Sequence, residues 1–179
     1  MFAIHNRVIR QGDGASTPLI LTNAYPVDGR MWERCAVRIA ALADEAGLAD
    51  FAIWAPDMPG SGLSSTPSDE QSGRRAPNGS YPDALDRMAE SYVAMLHEAG
   101  YDKAVWVGLS MGGYLVTDLY RLRPEAVAGV ALCDTMASSD GGGGFGGAGG
   151  FQARLATHAG AGWHGGAEGH ARHPLRGGP

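Results

Sequence analysis

Apolar and polar positions follow two different rhythms along the first three-quarters of this chain. Short, nearly continuous apolar runs stand at Pro18-Leu19-Ile20-Leu21-Thr22, Phe51-Ala52-Ile53-Trp54, Ala104-Val105-Trp106-Val107 (entered through Lys103) and residues 127–133. Runs of this length, apolar at successive positions, read as strands buried on both faces. Longer stretches with a helical period lie between them. Residues 30–46 carry Trp32, Cys35, Val37, Ile39, Ala40 and Leu42 and stop at Gly47. Residues 83–99 carry Leu85, Met88, Tyr92, Met95 and Leu96 on one stripe and stop at Gly100. Glycine just past the last periodic residue is a helix stop signal. Residues 114–120 predict a third helix, and residues 4–10 an edge strand ending in the turn Gln11-Gly12-Asp13-Gly14. Strands alternating with amphipathic helices predict an α/β fold: a mostly parallel sheet with helices on both faces.

Two segments break the rhythm. Residues 63–82 are polar and rich in Ser, Pro, Gly and Asp. They exceed the roughly 12–15 residues of ordinary connections. The segment suits a substrate entrance and a mobile surface insertion equally. After Ser139 the apolar period stops altogether. Residues 141–150 are glycine apart from Phe145 and Ala148, and Leu155 and Leu175 are the only branched aliphatics beyond them. Such a stretch buries too little apolar area to offset its ordering entropy, so a disordered Gly-rich tail is expected. The domain division is therefore 1–138 for a folded domain and 139–179 for the tail.

Composition narrows the classes. The chain has 179 residues, 44% hydrophobic and 18% charged, enough for one domain with a core. A net charge of −5 and the lack of a Lys/Arg cluster argue against nucleic acid as a partner. The opening Met1-Phe2-Ala3-Ile4-His5-Asn6-Arg7 is no secretory signal, and no apolar run is long enough for a membrane span. A cytoplasmic location follows by default. Cys35 and Cys133 are expected to be buried free thiols rather than a disulfide. Nothing resembles metal-ligand spacing, and no metal or organic cofactor is implied.

The stretch richest in chemistry is Gly108-Leu109-Ser110-Met111-Gly112, which fits G-x-S-x-G. An apolar strand precedes it and a helix follows, the setting of a nucleophile elbow. So tight a strand-to-helix turn forces its central residue into a strained backbone conformation and lifts the serine hydroxyl clear of the sheet. Gly108 and Gly112 are needed where strand and helix approach too closely for a Cβ, and Gly113 adds room.

Three motifs, each just after a predicted strand, give the family. Asn23-Ala24-Tyr25-Pro26-Val27-Asp28-Gly29-Arg30-Met31-Trp32 resembles an oxyanion loop followed by Trp, with Asn23-Ala24 in place of the usual His-Gly. Asp57-Met58-Pro59-Gly60-Ser61-Gly62-Leu63-Ser64 resembles the D-x-P-G-x-G-x-S loop. The serine turn is the third. Over residues 1 to about 136 the chain resembles the α/β-hydrolase fold superfamily, in its esterase, enol-lactonase and proline-iminopeptidase-like branch. Arg123-Pro124-Glu125-Ala126-Val127 and Leu132-Cys133-Asp134-Thr135 fit it too.

The resemblance implies a serine hydrolase acting on small carboxylic esters or related acyl compounds through an acyl-enzyme. Ser110 is the nucleophile, and the backbone N–H groups of Met111 and Tyr25 form the oxyanion hole. Met111 opens a helix, whose dipole favours negative charge there. Tyr25 serves equally as an aromatic wall of the pocket. Asp57 and its glycines are expected to fix a turn beneath the site, and Trp32 and Trp54 to lie in the core.

A serine needs a base oriented by a carboxylate. The family places acid and then His after further strands, and no counterpart of those segments is recognisable. His158, His164, His170 and His173 lie in the low-complexity tail, and His5 and His97 read as structural or solvated. Asp134, at the end of the strand after the serine turn, is the one candidate acid. The same absence would leave the strand at residues 127–133 as an open edge, suited to self-association. The tail is accordingly expected to be an out-of-frame or truncated end of a longer hydrolase gene. The competing reading is a catalytically inactive hydrolase fragment, at most an interaction module.

Overall fold

The computed structural model describes residues 1–135. The expected boundary near 138, the disordered tail and its four His lie outside the described residues. Five strands form one sheet: β1 (Val8–Arg10), β2 (Leu19–Thr22), β3 (Ile53–Trp54), β4 (Ala104–Leu109) and β5 (Val127–Cys133). Their order is β1-β3-β2-β4-β5. β2 pairs in parallel with both β3 and β4, β4 pairs in parallel with β5, and only β1 runs antiparallel, against β3. The mostly parallel sheet expected from the sequence is present.

Four helices accompany the sheet: α1 (Glu33–Glu45), α2 (Asp69–Ser72), α3 (Ala84–Glu98) and α4 (Met111–Leu122). The strands' two-residue period divides the core between the two faces. Ile20, Trp54, Ala104 and Trp106 point to one face and pack with Ala89, Tyr92 and Leu96 of α3 and Leu115, Val116 and Leu119 of α4. Leu21 and Ile53 point to the other, where they meet Trp32 and Ala36. Helices therefore lie on both faces, as the alternating pattern predicts, and Trp32 and Trp54 are core residues.

Three differences from the sequence reading have local causes. The first helix opens as a 3-10 turn at Gly29–Trp32, capped by Asp28, whose carboxylate accepts from Arg30 N. Its core face is made by Ala36 and Ala43 with Ile39 and Ala40 half-buried, so Val37 and Leu42 are exposed. Cys35 is also exposed, against the expectation of a buried thiol, because it sits one residue off that face. Both cysteines are free, and Cys133 is half-buried. Finally, residues 63–82 contain the short helix α2. Its capping box pairs the Ser68 hydroxyl with Gln71 N and the Gln71 side chain with Ser68 N. That S-x-x-Q signal stands in the sequence as Ser68-Asp69-Glu70-Gln71.

Candidate active site

The C-terminal ends of β2, β3 and β4 carry the three motif loops to one end of the sheet. This is where ligands bind in parallel α/β sheets. Ser110 occupies the single-residue junction between β4 and α4, with φ 52° and ψ −114°. A positive φ is unusual for a residue with a side chain. Hydrogen bonds on both sides hold it there. Ser110 N donates to Cys133 O at 3.0 Å, and Ser110 O accepts from Gly113 N at 2.9 Å and from Thr135 Oγ1 at 2.9 Å. The side chain is exposed.

The glycines around the turn meet the requirement read from the sequence. A Cβ on Gly108 would lie 2.6 Å from Gly113 Cα, and one on Gly112 would run into the carbonyl group of Thr22. Neither neighbour is a flexible side chain, so strand and helix need the missing Cβ atoms. Thr22 adds a tie, its hydroxyl 2.9 Å from Val107 O and 3.1 Å from Gly112 O.

Met111 is the first residue of α4, so its N–H lies outside the helix's own hydrogen-bond ladder. Tyr25 sits in the loop after β2, its side chain 76% exposed. The loop is shaped by Asn23, which is buried and donates from Nδ2 to Ala24 O at 3.0 Å and Val27 O at 2.6 Å. The residue that replaces histidine in the motif thus organises the loop's backbone.

Asp57 is fully buried and accepts from Gly29 N at 2.8 Å and Leu63 N at 2.9 Å. Arg7 adds an ion pair at 3.8 Å. A Cβ at Gly62 would strike the Asp57 carboxylate. Asp57 is therefore the clamp of the loop after β3, the structural role read for it from the sequence. Neighbouring Asp28 is held down to about 2, first by its hydrogen bond with the Arg30 side chain and then by Arg30 N.

A cleft of about 270 Å³ opens between these loops. Asn23, Tyr25, Pro26 and Val27 line it from the loop after β2, and residues 58–62 from the loop after β3. Met88 of α3 and Met111 of α4 complete the wall. Met111 brings the cleft next to Ser110 along the chain. Met58 and Met88 carry no motif signature. Met88 looked only like part of a helix's apolar stripe, and only the packing of α3 brings it to the cleft.

Asp134 follows β5 with φ 47° and is exposed. His97 is exposed on the last turn of α3. His5 precedes β1, and its backbone N–H donates to Ser64 Oγ at 2.8 Å. Neither His lines the cleft. Among the described residues no group of three or more His, Cys, Asp or Glu could hold a metal ion. None of their helices is long and apolar enough to cross a membrane.

With strand-to-helix serine, motif loops and sheet order together, the architecture is that of a hydrolase scaffold. The family model of the alpha/beta hydrolase fold matches residues 17–144, and the chain belongs to that family. It is 30% identical over 131 residues to epoxide hydrolase A of Mycobacterium tuberculosis, covering 73% of this chain and 35% of that protein. It is 30% identical over 122 residues to bifunctional epoxide hydrolase 2 of Rattus norvegicus, covering 68% and 19%. Among solved structures, a thermophilic esterase from Thermogutta terrifontis aligns with a TM-score of 0.54 at 29% identity, over 78% of this chain and 42% of that one. The esterase RhEst1 from a Rhodococcus species gives 0.56 at 28% identity, over 75% and 42%. The chain thus spans about a third or less of the length of these two curated relatives.

Proposed function

We propose that this chain carries the nucleophile half of a serine hydrolase for small carboxylic esters. The observation that carries the reading is Ser110, held at φ 52° between β4 and α4 and exposed beside a cleft. In this reading the turn is a nucleophile elbow. Ser110 Oγ attacks the ester carbonyl carbon, and the N–H groups of Met111 and Tyr25 receive the charge that develops on the carbonyl oxygen. Collapse of the tetrahedral adduct breaks the bond to the alkoxy group, which leaves with a proton. Water then hydrolyses the acyl-enzyme. Asp134 stands as the candidate acid for orienting a base. No described His lines the cleft, so the base has to come from beyond residue 135 or from another chain.

The relatives named for epoxide hydrolysis raise a second chemistry, and the side chain at position 110 argues against it. A serine that opens an epoxide forms an ether, which water does not cleave under ordinary conditions. A carboxylate nucleophile would form a hydrolysable ester instead. The Ser110 hydroxyl therefore suits acyl transfer, where its own product is an ester.

The alternative class is a catalytically inactive fragment that acts only through its surface. A fluorophosphonate probe, which modifies activated serines, separates the two. Labelling of the folded chain that is lost in Ser110→Ala is the expected result. An unlabelled, well-folded wild type would sink the hydrolase reading.

A further inference from the structure

The connection between β3 and α3 holds a turn with chemistry of its own. It reads Ala76-Pro77-Asn78-Gly79. Proline presets the second position of a four-residue turn, and glycine suits the fourth. Gly79 N closes the turn by donating to Ala76 O at 2.9 Å, and Ala76 N donates to Ser80 O at 2.8 Å. Gly79 has φ 85°, a conformation that side chains disfavour.

Asn78 is exposed, and its side chain folds forward over the Gly79 peptide in an Asx turn. Its Oδ1 accepts from Ser80 N at 3.1 Å and from Ser80 Oγ at 2.8 Å. Both donors draw electrons from Cγ, and both stabilise negative charge arriving on Oδ1. Arg75 brings a cation to the same peptide, its Nε donating to Gly79 O at 3.5 Å. The backbone nitrogen that follows Asn78 belongs to glycine, so no side chain shields it. A nitrogen held beside a polarised amide carbon is set for intramolecular attack. The chain's other two asparagines are placed differently. Asn23 precedes Ala24 and is buried, with Nδ2 tied to Ala24 O and Val27 O. Asn6 precedes Arg7, and the backbone on both sides of it is paired, His5 O with Asp57 N and Arg7 O with Ala55 N.

We propose that Asn78 modifies itself, cyclising onto Gly79 N with Ser80 activating its carbonyl, and reopening as aspartate and isoaspartate. The hydrogen bond from Gly79 N to Ala76 O opens, and hydroxide removes the amide proton. The nitrogen attacks Cγ, and an N–Cγ bond forms. The Cγ–Nδ2 bond breaks, and Nδ2 leaves as ammonia with a proton taken from water. Water then opens the cyclic imide. Cleavage at Cγ gives aspartate, and cleavage at the Asn78 backbone carbonyl gives isoaspartate. Water enters, ammonia leaves, and no atom changes oxidation state. The product places a negative charge beside Arg75. Isoaspartate also routes the main chain through the side chain, which breaks the pairing of Ala76 with Ser80.

The test stores the whole chain in buffers of rising, mildly alkaline pH and compares tryptic maps with those of fresh chain. Trypsin cuts after Arg and Lys, so the three asparagines fall in three separate peptides. The peptide of residues 76–87 should gain the mass of an amide-to-acid exchange and split into two isomers, faster as pH rises. The peptides holding Asn6 and Asn23 should stay unchanged. Asn78→Gln and Gly79→Ala should each abolish the change. Ser80→Ala keeps the backbone donor and loses the hydroxyl, so it should slow conversion by about 2–10-fold, the worth of one hydrogen bond. Ser110→Ala should convert at the wild-type rate, because the chemistry does not involve the serine turn. A stored wild type with residue 78 intact would overturn the proposal. So would conversion of Asn6 or Asn23 at the same rate, or a Ser80→Ala chain that keeps pace with the wild type.

Discussion

Thr135 Oγ1 donates to the carbonyl oxygen of Ser110 at 2.9 Å, tying the end of β5 to the turn that presents the serine. The same threonine packs where a side chain on Gly113 would go. A Cβ there would lie 2.6 Å from Thr135 Cβ. Gly113→Ala should therefore destabilise the fold by about 1–2 kcal/mol, overpacking outweighing the helix propensity that alanine adds. Thr135→Gly removes the obstacle, so the double variant should be more stable than the sum of the two single changes predicts. Gly112→Ala offers no such escape, because its Cβ meets the Thr22 backbone. Urea unfolding of the four chains measures the coupling. Strictly additive midpoints would show that Thr135 and Gly113 do not constrain each other.

Backbone strain at Ser110 predicts a second result. At φ 52° and ψ −114° a residue with a Cβ pays about 1–3 kcal/mol, whereas glycine adopts the conformation freely. Glycine gives back about 0.5–1 kcal/mol through the greater entropy of its unfolded chain. Ser110→Gly should therefore be more stable than Ser110→Ala by about 1 kcal/mol, although both lack the hydroxyl. Equal unfolding midpoints for the two variants would mean that the turn is unstrained.

How much of this was legible in the sequence depends on whether a signal is local. β2, β4 and β5 announce themselves because every residue of Leu19–Leu21, Ala104–Val107 and Val127–Cys133 is apolar or small. Ser110 and its glycines were readable because one turn carries the whole requirement. The placement of β1 beside β3 was not, since nothing in three residues specifies a partner. Cys35 and Val37 misled because α1 buries a narrow alanine face, where small side chains let the helix approach the sheet. The cleft was invisible for a different reason. Met58, Met88 and Met111 are 30 and 23 positions apart, and only the packing of α3 and α4 against the sheet brings them to one wall. The Thr135 tie spans 25 residues and left no pattern at all.

Away from the cleft, Asp118 predicts a pH effect. Its carboxyl is pushed up to about 6, first by burial, then by hydrogen bonding with Asp86, with Arg121 opposing. Arg121 bridges the two acids, Nε donating to Asp118 Oδ1 at 2.7 Å and Nη2 to Asp86 Oδ1 at 2.6 Å. A carboxyl with a raised folded-state pKa contributes stability that is fully present below its unfolded value near 4. That contribution is lost as pH rises through about 6. Asp118→Asn removes the titration. The variant should gain about 1 kcal/mol relative to wild type between pH 4 and pH 7, less than the full shift implies because Asn also weakens the contact with Arg121. Unfolding free energies of both chains across that range give the difference directly. A gap that stays constant with pH would refute the assignment.

The two sheet edges differ in a way that predicts self-association. β1 is three residues long, and Arg10 in it is engaged by Asp44 and Asp50. β5 is seven residues of Val-Ala-Gly-Val-Ala-Leu-Cys, uncharged, and among the described residues it has a neighbour on one side only. Charge and brevity discourage further strand addition at an edge, and β5 has neither; its one irregularity is a register shift at its start, where Ala104 and Val105 pair with Val127 and Gly129. A second copy offers the same edge, and a two-fold axis would join the two β5 strands antiparallel into one continuous sheet. Sedimentation velocity from micromolar to near-millimolar chain should show a concentration-dependent dimer. Ala131 is exposed on β5, so Ala131→Lys places a charge on the open edge and should shift the population to monomer with little loss of stability. A wild type that stays monomeric across that range, or a dimer indifferent to the lysine, would place any contact between copies elsewhere on the surface.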